Sequence, residues 1–340
     1  MIVVVAYAIG AALRFNIVHL EPVLASPHAP WALSNLERIS RVALGIAYMI
    51  SVAFYLRLLA SFALDAIGGD SDFNGRVVAT VILVTIGVIG LVRGLHGIEA
   101  IEVPAVDLKL AIIGGLLAGM IVFDLINGSA TIASYQHQPV ELHGFALIRR
   151  IAGMLLVVQG FETSRYLGRY YSQEVRVRTM RRAQLISGAI YVSFAALVVP
   201  FFGDLGSGPR ETAILDAARV VSPILAPLLV LAAIASQLSA AMADTAGGGE
   251  MLTNKPRHQR GNLGYPAVAL GAALIAWFAN IFAIISFASR AFALYYLCQV
   301  LSTAATAWRL RTPHHVLVTI ASLLLAAGLM FIVIAAIPGG

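Results

Sequence analysis

Ten apolar runs, each about as long as a bilayer is thick, restrict this chain to a narrow set of folds. They lie at roughly 1–17, 41–64, 76–92, 106–126, 144–163, 183–203, 221–245, 264–280, 283–307 and 315–337. About 17–25 apolar residues make a helix that crosses hydrocarbon. Inside lipid every backbone N–H and C=O must find its partner within the protein, which helices achieve one segment at a time. The runs therefore predict an all-α, polytopic membrane protein, with residues 1–340 as one transmembrane domain. Composition agrees: 59% of the residues are hydrophobic and 12% charged, about half the charge of a soluble domain.

Charge placement orients the spans and removes other classes. One set of alternate loops carries Arg14, Arg38, Arg41, Arg93, the arginine run from Arg165 to Arg182, Lys255, Arg257, Arg260, Arg309 and Arg311. The other set holds Asp65, Asp70, Asp72, Asp204, Glu211 and Asp216, with Arg210 as its basic residue. Cytoplasmic loops concentrate Lys and Arg, so the first set is predicted to face the cytoplasm and the first run to cross from outside to inside. Short basic loops between apolar runs account for the net charge of +6 without nucleic acid as a partner. The apolar N-terminus has no charged stretch before it, so no cleavable signal is expected. Cys298, the one cysteine, lies in an apolar run and makes no disulfide framework. No HExxH, GxSxG, Walker loop or CxxC occurs, and the histidines show no ligand spacing. Neither a catalytic centre nor a cofactor or metal site is expected.

The residues most out of place in lipid lie between 151 and 183. There an apolar helix pattern meets Gln159-Gly160-Phe161-Glu162 at about bilayer depth, before the arginine run. Interrupted backbone at that depth is tolerated where it is buried in protein or lines a watery cavity. Open half-helix ends can hold the ends of a charged solute; alternatively the glycine serves close packing and Glu162 stands at the cytoplasmic mouth. Lys109 has two readings as well: it snorkels to the interface, or it is an ammonium held near the bundle axis. Ser236 and Ser239, three apart in a run of small residues, either face a cation or bond back to their own helix. Arg149 and Arg150 are expected near the outer mouth. Arg290 is expected to pair with an acid such as Asp124 or Glu141. The segment 211–219 reads as an amphipathic helix at the outer interface.

With those residues in place, the chain resembles the amino acid–polyamine–organocation (APC) transporter superfamily. Gly160-Phe161-Glu162, followed by Glu174-Val175-Arg176 and Arg182-Ala183, is similar to the family's broken sixth helix and its exit. Residues 94–109 resemble the approach to its fifth helix, and 214–221 the outer helix before its eighth. The loop after Glu174 departs from the family pattern in lacking prolines. The resemblance implies a five-plus-five inverted-repeat fold and a cytoplasmic-membrane transporter of an amino acid or a related small amine or carboxylate. Protons, or a second solute in exchange, would drive it by alternating access. It implies that Val158, Gln159, Gly160 and Phe161 line the solute site and that Glu162 couples or gates. It further implies that Lys109 takes the place of a sodium ion facing Ser236 and Ser239. No segment matches the family's first helix, so the ten runs number as helices two to eleven. That gap leaves a second expectation open, a truncated or degenerate membrane protein, or one that senses a solute without moving it.

Overall fold

A computed structural model describes residues 2–69, 71–133, 144–153, 158–198, 225–252, 262–311 and 314–335. Among these the structure is helical, with no strand. Helix α1 (Ile2–Phe15) passes through a π-helical turn at Asn16–Leu20 into the short α2 (Glu21–Ala25). Then come α3 (Trp31–Ala66), α4 (Asp72–Ala133), α5 (Phe145–Gly153), α6 (Thr163–Tyr166) and α7 (Gln173–Val198). The chain continues with α8 (Leu225–Leu252), α9 (Gly264–Phe278), α10 (Ile281–Leu310) and α11 (His315–Ala335). Six helical stretches among the described residues are long and apolar enough to cross a membrane.

Two helices form the centre. Both α3 and α10 are buried over 67% of their most apolar windows, whereas α11 is buried over 17% of its window. A helix apolar all round and enclosed by others belongs to the core of a bundle, and one left open presents its side chains to lipid. Helix α3 supplies residues to both hydrophobic clusters. In one, Ala43, Leu44, Ala47 and Tyr48 pack with Ile9, Leu13, Phe292 and Tyr296. In the other, Val52, Ala53 and Leu56 pack with Leu83, Ile86, Met242 and Tyr265. So α3 separates an α1–α10–α11 layer from an α4–α8–α9 layer.

Local chemistry sets the ends and bends. Asn280 caps α10 by accepting from the Ala283 amide at 2.8 Å, the usual service of an asparagine at that position. The 62 residues of α4 would extend about 93 Å if straight, three times the hydrocarbon thickness. The helix bends instead at Gly94, whose φ of 59° and ψ of −150° belong to a region essentially restricted to glycine. Asn262 donates to the Leu91 carbonyl beside the bend at 3.2 Å. The runs at 76–92 and 106–126 are thus two arms joined at an elbow. On the other side of the bundle, α7 begins at Gln173, ten residues before the apolar run at 183, so Arg176 to Arg182 form its opening turns.

Candidate functional site

The interruption expected at Gly160 is present. After Val158, Gln159 and Gly160 lie outside helical geometry, and Gly160 takes φ +114°. Helix resumes at Thr163 for one turn. The amide freed at Gly160 donates to the Glu162 carboxylate at 2.9 Å. The Tyr296 hydroxyl of α10 donates to the same Oε2 at 2.8 Å. Glu162 is fully buried, so its carboxylate braces the broken backbone against α10 instead of standing at an open mouth.

A cavity of about 600 Å³ opens against this break. Phe54, Tyr55 and Leu58 of α3 form one wall, and Glu102, Val106 and Lys109 of α4 another. Gln159 and Gly160 come from the break, and Ser236, Gln237, Ser239, Ala243 and Asp244 from α8. Of the residues expected from sequence, Gln159, Gly160, Lys109, Ser236 and Ser239 therefore share one space. Lys109 Nζ donates to Ser239 Oγ at 3.1 Å, joining α4 to α8. Val158 is buried in the α1–α3–α10 cluster, and Phe161 stacks on Tyr296 with ring centres 5.7 Å apart. Both lie off the cavity wall, as does Glu162.

Asp244 is the residue that sequence reasoning passed over. Its side chain is buried. Oδ2 accepts from Ser51 of α3 in a short hydrogen bond, and Gln159 Nε2 lies 3.4 Å away. The Gln159 amide also donates to the Tyr55 hydroxyl. An acid amid alanines at membrane depth is a functional candidate by default, and that signal stood in Ala240–Thr245 for anyone placing the helix end later.

At the arginine-rich end a second polar group closes the bundle. Arg165 Nη2 donates to Glu37 Oε2 at 2.8 Å, and Nη1 donates to Gln299 Oε1. Gln299 Nε2 in turn donates to Ser40 Oγ at 2.8 Å. Asn16, opening the π-helical turn, donates to the Gln299 carbonyl at 2.9 Å and accepts from Thr303 at 2.9 Å. Arg176 grips both Glu21 oxygens, at 2.9 and 2.8 Å, and donates to the Arg165 carbonyl at 2.8 Å. Such π-turns recur where a helix serves a functional site. Elsewhere, Arg149 Nε donates to the Ala335 carbonyl at 2.7 Å. Glu141, the segment 211–219 and residues 214–221 lie outside the described residues, and Cys298 is a free, buried thiol. Among the described residues no three His, Cys, Asp or Glu side chains gather to hold a metal ion.

A broken helix facing a cavity that holds polar side chains between packed helices is the architecture of a solute carrier, and comparison with known proteins agrees. A family model described as APC superfamily transporter matches residues 1–336. The chain belongs to the APC superfamily of transporters. A relative from Aquifex aeolicus (strain VF5), described as an uncharacterized protein, is 41% identical over 307 residues, which cover 88% of this chain and 74% of the relative. As an APC superfamily member with membrane-length apolar helices, the protein is a multi-pass transporter of a lipid bilayer.

Proposed function

We propose that this APC transporter is a secondary carrier of the cytoplasmic membrane that moves an amino acid or a related small amine or carboxylate by alternating access. The observation that carries this reading is the opening of the Gly160 break onto a cavity where polar side chains from α3, α4 and α8 meet. Backbone groups outside regular helix at such a break can hold the charged ends of a small solute. A cavity of about 600 Å³ is in the range that encloses small organic ligands.

The driving gradient is a proton gradient, or a second solute moving in exchange. Lys109 supports this. Its ammonium already sits on Ser239, and a sodium ion placed beside it would meet a like charge at close range. Glu162, buried and bonded to Gly160 and Tyr296, is the group through which protonation would loosen the broken backbone. Residues 1–340 act as one transport domain in this reading.

Uptake into proteoliposomes containing the reconstituted gene product tests it. Accumulation of an amino acid or amine under an imposed proton gradient, or against a preloaded solute, is expected. Glu162→Gln and Lys109→Ala should each lose at least about tenfold in rate at unchanged expression, since hydrogen bonds to charged groups contribute about 1.5–3 kcal/mol. Wild-type rates in both variants would overturn the coupling assignment. Solute binding with no net movement would favour a sensor.

A further inference from the structure

Four arginines gather where α1 and α7 pack side by side. Gln173 of α7 donates to the Ile17 carbonyl at 2.7 Å, and further along Gln184 donates to the Ala6 carbonyl at 2.7 Å. The two helices therefore run antiparallel, with Arg14 of α1 level with the stretch from Arg178 to Arg182. Arg14 donates to Gln184 Oε1 and lies 5.0 Å from the centre of the Tyr7 ring, which together hold its guanidinium in place. Arg181 is near enough for its charge to act on Arg14. Arg178, Arg181 and Arg182 are exposed and, at spacings of three and four, share one face of α7. Among the described residues no carboxylate lies within ion-pairing distance of any of the four. Glu21, the next acid along the chain from Arg14, has both oxygens committed to Arg176. Glu174, one turn before Arg178, makes no ion pair with it.

The same face borders the hydrocarbon. One turn past Arg181 and Arg182, Leu185 and Ile186 are 53% and 57% exposed, and Val192 is 60% exposed. Four residues of helix rise about 6 Å, close to the thickness of the headgroup layer on either side of the apolar slab. With Leu185 and Ile186 at the edge of the acyl chains, the guanidinium groups stand among the headgroups. A guanidinium does not deprotonate in a protein, so four positive charges persist at that depth. Drawn together without a counter-ion they repel one another, and an anion seated between them turns that repulsion into attraction.

We propose that Arg14, Arg178, Arg181 and Arg182 bind the headgroup phosphate of an anionic phospholipid, in the leaflet that loop charge assigns to the cytoplasm. A phosphodiester offers paired oxygens, which the planar guanidinium fork meets with two parallel hydrogen bonds. The acyl chains of the same molecule then cover Leu185, Ile186 and Val192. A soluble anion answers the charge and leaves that apolar flank bare. Because the four side chains come from two helices, the bound lipid ties α1 to α7. A ligand held by the folded protein and not by the unfolded chain raises stability in proportion to its occupancy.

Unfolding temperature of the purified protein in nanodiscs tests the site. Discs of phosphatidylcholine receive increasing fractions of phosphatidylglycerol, and native mass spectrometry identifies the lipid that stays on the protein when the discs are removed. Wild type should unfold at higher temperature as phosphatidylglycerol rises, and should retain it in preference to phosphatidylcholine. Each arginine near an anionic surface contributes about fivefold in affinity. Arg181→Gln with Arg182→Gln should therefore weaken phosphatidylglycerol binding at least about tenfold. Arg178→Gln alone should weaken it severalfold, and serves where the pair does not fold. A reference pair, Arg38→Gln with Arg309→Gln, removes the same charge from exposed arginines of α3 and α10 and should bind as wild type does. Three results would overturn the site: no preference for phosphatidylglycerol in wild type, equal losses in the two pairs, or equal stabilisation by inorganic phosphate alone. The second would assign the effect to surface charge at large, and the third to a soluble anion.

Discussion

The energetics of single residues are most exposed at Glu37 and Arg165. Both are buried, with 7% and 4% of their surfaces accessible, and they meet at 2.8 Å. Removing one member of such a pair strands the other, at a cost of about 3–5 kcal/mol, whereas replacing both by apolar residues is often nearly neutral. Glu37→Ala should therefore lower the unfolding temperature in detergent sharply, and the double variant Glu37→Leu with Arg165→Met should recover much of the loss. Additive losses in the double variant would show that the two charges are not coupled. At this scale the sequence was only partly legible. Gln159, Gly160 and Lys109 stood out because polar groups and glycine are anomalous within apolar runs. Asp244 did not, because the glycine triplet that follows it reads as the end of a helix. Helix α8 instead continues to Leu252. A Cβ at Gly247, Gly248 or Gly249 would fall within 3.1 Å of Tyr48, Val268 or Tyr265 respectively. Those glycines serve close packing, and close packing leaves no mark in hydropathy.

At the scale of elements, the helical character and the order of the described segments followed from the apolar runs, but their joints did not. Nothing in the polar stretch after Arg93 distinguishes a loop from a helix that continues through an elbow. The difference rests on one positive-φ glycine and the Asn262 side chain, which bonds the Leu91 carbonyl from 171 residues along the chain. Gly94→Ala should consequently destabilise the protein by about 1–3 kcal/mol, the cost of holding a side chain in that backbone region. The added Cβ would also meet Asn262 Nδ2 at 3.0 Å. Gly114→Ala in the same helix, where an added Cβ meets nothing within 4 Å, should be neutral or stabilising by up to about 1 kcal/mol. Thermal unfolding of the two variants side by side checks the contrast, and equal effects would refute the elbow's dependence on glycine. The arginine run shows the converse. It reads as a loop by charge, yet Arg176 to Arg182 lie in α7, because helix can extend beyond hydrocarbon wherever its polar face meets water.

For the whole molecule, orientation is the property that charge asymmetry predicts most directly. In a Cys298→Ala background, a cysteine replacing the exposed Asn74 should react with an impermeant maleimide on intact cells. One replacing the exposed Arg178 should react only after the membrane is opened. The opposite pattern would invert the topology and exchange the two ends of the transport path. The polar cluster at the arginine-rich end also bears on how the protein is made. Glu37 and Arg165 are 128 residues apart in the chain, and a ribosome adding about 5–20 residues per second needs on the order of 6–26 s to bridge that interval. Through that time α3 has emerged and its permanent counter-ion has not. Arg41, one turn along the same helix and 3.2 Å from Glu37, is there from the start. It can hold one oxygen of the acid in company from the start, and α6 later brings Arg165 to the other.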